Sequence, residues 1–593
     1  MPLTTYQQLL SKYTVEHIAL NKKLRWLGFS RLLIFVGVIV FGYYYFARHE
    51  SYLLIIALLL FGLFFYCINL YQRVKDKAAF TKALIDINKT EIEFLNGQPS
   101  IYDGGKEYID PHHPYSYDLD VFGEASLYAF LNRATTSYGK ENLAKALLHP
   151  DTTIIKDRQD SIKELSGKIN FRQPLQASGS LHVIEQSDMN KLKTWLAFPT
   201  VFKKPALYYL LLVFPVTTLL SLVLYFSSGD KTWLNLFSGL FILNFFITAA
   251  FLKNIMKQVA ASTAVSKVLE QFALQLSEIE KQSFHSSLLK DLQNNLENDN
   301  VTAAHSIKKL ASLFKYLDFI INPVMSALLN GLSLFHIHIL FALDKWKKKN
   351  DEHVMKWLQT IGEFESLNSF ANLAFNNPSY CYPEILNDET IATTQMTHPL
   401  IRKERGVSND ISFQQQKFIV LTGSNMSGKS TFLRTLGINI VLAKTGSVVC
   451  AKTFSLFPFD LYVSMRITDS LQDSESFFYA ELKRLRAIIQ HMEEKNKTFV
   501  MLDEILRGTN SNDKHNGTVG LIRKLVTNKA CGIIATHDLT IADLSSAYAG
   551  YVGNKCFESE IIDGELVFDY KLKDGVCTRL NATFLMKKMG VID

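Results

Sequence analysis

Residues 423–430 read GSNMSGKS, and the spacing of two glycines ahead of a lysine and a serine is that of a phosphate-binding loop. Glycine lets successive backbone N–H groups curl around phosphate oxygens, and the start of the following helix turns its dipole toward them. The preceding run KFIVLTG reads as a buried strand and the following residues, 431–441, as a helix, which is the setting the loop requires. Gly423, Ser424, Asn425, Met426, Ser427, Gly428, Lys429, Ser430 and Thr431 are therefore the expected ATP contacts. Lys429 reaches the β- and γ-phosphates, and Ser430 is a ligand of Mg²⁺.

Two further apolar runs end in groups that can act on a bound triphosphate. TFVMLDE, residues 498–504, delivers Asp503 and Glu504 to the C-terminal edge of a buried parallel strand. Asp503 is expected to orient Mg²⁺ through its water shell, and Glu504 to polarise the attacking water. CGIIATH, residues 531–537, places His537 where it senses the γ-phosphate. Glu504, His537 and Lys429 are thus the expected catalytic groups, with Ser430 and Asp503 at the metal.

These residues lie in a chain of 593 residues, long enough for three or four units, with a net charge of only +7. That excess is too small to mark a nucleic-acid footprint, because basic residues beside membrane segments account for it. Cys67, Cys381, Cys450, Cys531, Cys556 and Cys577 show no C-x-x-C spacing, which points away from a zinc site or a disulfide framework and toward a reducing, intracellular compartment.

Four apolar runs set the expected topology. Residues 51–72, 205–229 and 232–252 carry no formal charge, and about 20 such residues cross the hydrocarbon of a bilayer. The shorter run 32–47 is flanked by Arg31 and Arg48, which can snorkel, and carries the interfacial cluster Tyr43, Tyr44 and Tyr45. Paired by tight turns near 48–50 and 230–231, they predict two transmembrane hairpins. Lys22, Lys23, Arg25 and Arg31 precede the first hairpin, Arg73, Lys75 and Lys77 follow it, and Lys203, Lys204, Lys253 and Lys257 flank the second. Positive charge on the cytoplasmic side then predicts an inner (cytoplasmic) membrane protein with its N-terminus and ATPase domain in the cytoplasm. The run 319–343 is also uncharged, but Asn322, Asn330, Ser326, Ser333, His336, His338 and Pro323 make it more polar, and a fifth crossing would put the phosphate loop outside. It is read as a buried helix of the soluble core. No acid or base lies within the four spans, so a transport path is not indicated.

The expected organisation is an N-terminal region with the first hairpin (1–75), a soluble helical segment (76–204), the second hairpin (205–252), a helical core (253–385) and an α/β nucleotide-binding domain (386–593). In the core, Val265, Leu269, Phe272, Leu276 and Ile279 recur at spacings of four and three, a buried helical stripe. The sequence NNPSYCYPE, residues 376–384, closes it.

Several of these motifs together resemble the MutS family of ATPases. NMSGKST is the family form of the loop. LDEILRGTNSNDKHNG resembles its DE-x-x-RGT segment, ATHDLTIADL its switch around His537, and HPLI (398–401) with NDI (409–411) the approach to the first strand. DLDVFGEASLYAFLNRATTSYGKENLAKALLHP, 118–150, is similar to the start of the family's helical core, and LNGLSLFHIHILFALDKWK to a later core helix. The resemblance implies an ABC-type P-loop ATPase domain on a helical core, ATP and Mg²⁺ as cofactors, and a homodimer with ATP held between subunits. Arg507, Gly508 and Thr509 would then face the partner, and Ser476 would reach its γ-phosphate.

Departures are specific. Where the family carries a Ser-Gly pair followed by Arg-Ser-Thr, this chain has Asp473, Ser474, Glu475, Ser476 and Phe477. Membrane helices occupy the place of the family's mismatch-reading domain, and residues 253–330 offer little of a DNA clamp. A literal F-x-E at Phe122 to Glu124 lies inside the core match and reads as coincidence. Two functions follow as expectations: a membrane-anchored ATPase coupled to DNA binding, or an ATP-driven switch acting on a membrane protein partner without DNA.

Overall fold

The computed structural model describes the chain except residues 1, 183, 185, 299–300, 467–476, 495–496, 563–564, 578–585, 587–591 and 593. Its N-terminal part is a long antiparallel pair, α1 (Pro2–Arg48) and α2 (Ser51–Leu95), joined at His49 and Glu50. Each helix extends well beyond its apolar run. The apolar halves expose Leu32, Leu33, Phe46, Ile55, Leu58 and Leu59, and the polar halves continue as a stalk that packs on the core.

A second pair, α3 (Val213–Ser228) and α4 (Lys231–Ala250), follows the short helix Pro205–Leu211. Gly229 takes a left-handed conformation (φ 69°) at the turn, and the Asp230 carboxylate accepts the Thr232 N–H at 2.9 Å to start α4. Among the described residues, four helices are long and apolar enough to cross a membrane: α1, α2, the stretch Pro205–Ser228, and α4.

The core is built from α5 (Leu252–Glu280), α6 (Ala303–Leu317) and the 42-residue α8 (Phe335–Asn376), with shorter helices between 127 and 196. The stripe Val265, Leu269, Phe272, Leu276 and Ile279 is fully buried. Glu365, in the C-terminal third of α8, ties three elements together: it accepts the N–H groups of Thr135 and Thr136 at 3.2 and 3.1 Å and the Gln275 amide at 2.9 Å.

Both hairpins are fastened to α8. Near its C-terminal end, the buried Tyr6 hydroxyl donates to Asn376 and Asn372 at 2.8 and 3.2 Å, and Glu91 of α2 pairs with Arg133 and accepts from both asparagine amides. Toward its start, Phe341 stacks on Tyr208 with ring centroids 3.7 Å apart, and Asp344 accepts the Phe202 N–H at 2.6 Å.

The reading of 319–343 as one buried core helix is corrected. The chain forms a short 3-10 turn, Asp318–Ile321, then α7 (Pro323–Ser333), then a corner at Leu334 with φ 50° before α8 begins. The corner exists because the Asn330 side chain accepts the His336 N–H at 3.0 Å, starting the new helix in a different direction. α7 leans against α3 and α4, with Val324 and Leu328 exposed.

The C-terminal domain carries a six-stranded sheet. In chain order its strands are β1 (Phe418–Gly423), β2 (Asp460–Ser464), β3 (Thr498–Asp503), β4 (Cys531–Thr536), β5 (Val552–Ile562) and β6 (Glu565–Asp574). The spatial order is β6-β5-β1-β4-β3-β2, parallel throughout except for the antiparallel edge strand β6. β1, β3 and β4 are buried at every position, as expected of parallel strands covered on both faces. A smaller four-stranded sheet, including Ile391–Met396 and Asn409–Ser412, flanks it.

The core meets this domain through two aspartates. Asp118, with no exposed surface, accepts the N–H groups of Met465 and Arg466 at 2.7 Å each and pairs with Arg484. Asp120 pairs with Arg466 and, at 3.1 Å, with Arg434. Phe122 of the F-x-E sequence is buried against Tyr108 and Tyr128, a packing role. Removing one partner of a buried pair leaves the other charge uncompensated. Asp118→Ala is therefore expected to destabilise the detergent-solubilised chain by about 3–5 kcal/mol, read as a lower midpoint in urea denaturation, whereas Lys106→Ala, whose ion pair is exposed, leaves the midpoint unchanged.

Candidate functional site

β1 runs into the loop and α9 (Lys429–Lys444) leaves it, so the loop sits at the C-terminal edge of the central strand. This is where open parallel sheets bind ligands. Gly428 has φ 103°, which a side chain rarely adopts, and a Cβ there would approach the Tyr570 ring at 3.0 Å. The Lys429 ammonium is buried and donates to the Gly423 and Ser424 carbonyls at 2.7 and 3.0 Å. It thus spans the loop from within, and burial pulls its pKa below the ordinary lysine value.

β3 lies one strand beyond β4 and brings its acids to the same edge. The Ser430 hydroxyl donates to Asp503 Oδ2 at 2.5 Å. The other oxygen, Asp503 Oδ1, is buried and has no hydrogen-bond partner, and burial raises the carboxyl pKa above the usual range. A carboxylate held dry, with one oxygen bonded to a hydroxyl and one orphaned, is a fit for a hydrated divalent cation. Ser430 and Asp503 are the residues that would hold it.

Glu504 follows directly, with φ 48°, a left-handed backbone that only a constrained site maintains in a non-glycine residue. Its N–H is held by the Ala535 carbonyl at 2.9 Å, so β4 fixes the turn that aims the side chain into the cleft. The Glu504 carboxylate stands 3.7 Å from His537 Nδ1 and 3.6 Å from Arg507 Nη2. His537, at the end of β4, is half exposed. Lys429, Ser430, Asp503, Glu504 and His537 are therefore brought to one edge of one sheet. The remaining loop residues, Ser424, Asn425, Met426, Ser427 and Thr431, lie around them, with Met426 at φ 67° and pointing outward.

A cleft of about 660 Å³ opens above the loop, large enough for a nucleotide. Its walls include Ile401, His398, Phe432, Phe557 and Tyr570. Burial and the nearby Arg434 push the His398 pKa down to about 4, so its ring is neutral near pH 7.

Arg507 is engaged within its own chain, donating to the Glu504 carbonyl at 2.9 Å and to the Asp503 carbonyl at 3.4 Å. Gly508 is left-handed at φ 100° with open space beside it. Ser476, expected to reach a partner's nucleotide, lies outside the described residues, as do 467–475.

Two contributors escaped the sequence reading. Glu481, on the helix α10 (Phe477–Glu493), is buried and accepts the N–H groups of Leu506 and Arg507 at 2.8 and 3.2 Å, which fixes the turn after Glu504. Tyr570 on β6 is seated by Asn409, whose amide donates to the Tyr570 carbonyl at 3.0 Å. Only the NDI motif, quoted for its resemblance, hinted at the latter.

A sheet with its central strand feeding a glycine loop, a lysine spanning that loop and an acid pair on a neighbouring strand define a P-loop nucleotide-binding domain. Residues 419–587 match the family model described as MutS domain V, so this domain is similar to the corresponding domain of the MutS family. The DNA mismatch repair protein MutS of Thermotoga maritima is 28% identical over 251 residues, which is 42% of this chain and 31% of that protein. MutS of Staphylococcus saprophyticus is 30% identical over 237 residues, 38% of this chain and 26% of that protein. The DNA mismatch repair protein MSH6 of Arabidopsis thaliana is 29% identical over 265 residues, 41% of this chain and 20% of that protein. The chain thus spans less than a third of the length of these curated relatives.

Burial makes the Asp503 charge unfavourable in the folded chain. With its folded pKa above the unfolded value, this group's contribution lowers stability as pH rises through that interval, and the loss is complete above it. Asp503→Asn removes this dependence on pH. At pH 7.5 without nucleotide, Asp503→Asn is expected to melt no lower than the parent chain, while the upward melting shift produced by ATP with Mg²⁺ is lost; thermal-shift measurements with and without both ligands check this.

Proposed function

We propose that this chain is a membrane-anchored MutS-type ATPase that binds and hydrolyses ATP at an interface between two copies. The observation that carries the reading is the junction of Ser430, Asp503 and Glu504 at the end of the loop, with one buried carboxylate oxygen unpartnered. The loop amides and Lys429 bind the triphosphate; phosphate oxygens replace the two carbonyls that hold the ammonium, and their charge favours its protonated form. Bound Mg²⁺ supplies charge neutralisation along the phosphates. Glu504, steadied by Ala535 and flanked by His537 and Arg507, orients the attacking water and takes its proton. In a closed dimer Arg507, Gly508 and Thr509 face the partner, and Ser476 belongs to the segment that reaches across.

The four apolar helices support a membrane location, with the N-terminus and nucleotide-binding domain on the cytoplasmic side of the inner membrane. In the second hairpin the polarity is turned inside out: Thr218, Ser221, Asn244 and Thr248 are buried while Val216, Leu220 and Phe246 are exposed. Helices bathed in lipid show this arrangement, and helices bathed in water the reverse.

The names of the relatives, DNA mismatch repair proteins, support action on DNA. A second reading, action on a membrane protein partner without DNA, is favoured by the attachment of both hairpins to α8 through Tyr6 and Tyr208. Lys429→Ala is expected to abolish turnover by the reconstituted full chain, and Glu504→Gln to lower it by about 10²- to 10⁴-fold while ATP still binds; unchanged hydrolysis in both removes the assigned chemistry. For DNA, binding to homoduplex, mismatched and branched substrates is measured against salt. A falling log-log slope supports the first reading, and no binding to any substrate at low salt leaves the second.

A further inference from the structure

Helix α7 has the wrong polarity for a helix in water. Val324 and Leu328 are 80% and 52% exposed, and Ile321 just before the helix is 65% exposed. Ser326, Asn330 and Gly331 instead face the protein and are buried. An uninterrupted apolar face of this kind marks a surface that another medium covers.

The inward polar groups are all occupied with one another. Asn330 donates to the Ser326 carbonyl at 2.8 Å and its oxygen accepts from the His336 N–H. At the other end, Asn322 Oδ1 accepts the Met325 N–H at 3.1 Å. The Asn322 cap closes the N-terminal end, and at the C-terminal end the Leu334 N–H donates to the Asn330 carbonyl at 2.9 Å; backbone groups satisfied within the chain are what hydrocarbon demands.

α7 is also docked against the second hairpin within its apolar length. The Gly331 carbonyl accepts from the buried Asn244 amide at 2.9 Å, and that amide also donates to Thr218 of α3 at 3.0 Å. The Phe241 ring lies so close to Gly331 that a Cβ would approach it at 2.4 Å. Close approach at glycine with an interhelical polar contact is how helices associate in a bilayer. Asn244 and Phe241 stand six and nine residues before Ala250, about 9 to 14 Å along α4 from that end. One leaflet of hydrocarbon is about 15 Å deep, and an 11-residue helix, about 16 Å long, cannot cross both.

We infer that α7 is a re-entrant helix seated in the cytoplasmic leaflet beside the second hairpin, its Val324–Leu328 face covered by lipid acyl chains. The inference rests on the membrane reading of the hairpins. The chain enters and leaves on one side, so the number of crossings stays even and the phosphate loop stays on the side of the N-terminus. Exposed lysines on the flanking helices, Lys308 and Lys309 on α6 and Lys345 and Lys348 on α8, suit the adjoining anionic headgroups.

The test is spin labelling of the full chain in vesicles of phosphatidylethanolamine and phosphatidylglycerol. Nitroxides are placed by Val324→Cys and Leu328→Cys, with Lys348→Cys as an aqueous reference, Val216→Cys as a hairpin reference and the parent chain's signal subtracted. Collisions with oxygen, which concentrates in lipid, are compared with collisions with a water-soluble nickel chelate. The expected result is an oxygen-to-nickel ratio at both α7 sites several-fold above that at Lys348→Cys and matching Val216→Cys. A ratio as low as that of Lys348→Cys at both sites, with Val216→Cys high, overturns the re-entrant helix and leaves the hairpins in the membrane. Exclusion of both relaxants at the α7 sites overturns it in favour of a protein cover such as a second copy. A low ratio at Val216→Cys overturns the membrane reading and the inference with it. The two sites share one exposed face, so either alone carries the test if the other variant fails to insert.

Discussion

A carboxylate that never meets water joins the two halves of this molecule. Asp118 gives one oxygen to two backbone N–H groups just past β2 and the other to Arg484 on α10. Buried charge of this kind is stable only when every lone pair finds a donor, so the end of β2 and the face of α10 are held in one geometry relative to the core. α10 in turn carries Glu481, which fixes the turn after Glu504. The position of Glu504 therefore depends, through these contacts, on an aspartate more than 380 residues earlier in the chain. Asp120 adds a surface-facing branch through Arg434 on the helix that leaves the phosphate loop.

The arrangement of the loop was legible in sequence because it is local. Glycine spacing, the lysine and the flanking apolar strand all fall within a dozen residues, and Asp503, Glu504 and His537 each end an apolar run whose burial requires a sheet. The first three strands to be read are adjacent in the sheet, in the order β1-β4-β3, because parallel strands joined by helices expose their C-terminal ends together. The four apolar helices were legible for an equally simple reason: length without charge.

What escaped lies in contacts between distant segments and in the direction a side chain faces. Asp118, Glu481 and Tyr570 are ordinary residue types whose partners are set by tertiary packing. α7 shows a different limit. Its composition fits a buried core helix and a lipid-facing one equally well, and only the direction in which Val324 and Asn330 point separates the two. The corner at Leu334 was hidden because its cause is the Asn330 side chain, which reaches across the break to the His336 N–H.

The long helix α8 runs unbroken for 42 residues, about 63 Å. The stalk of the first hairpin is fastened near its Asn376 end, the second hairpin and α7 near its Phe335 end, and Glu365 clamps it between. A rod held this way converts rotation into displacement. Pivoting by about 5° at the end nearest the nucleotide-binding domain sweeps the far end through about 5 Å, roughly the pitch of one helical turn. A rearrangement too small to disturb the sheet would thus be amplified into a sideways shift of the whole second hairpin, with no gear beyond the stiffness of one helix.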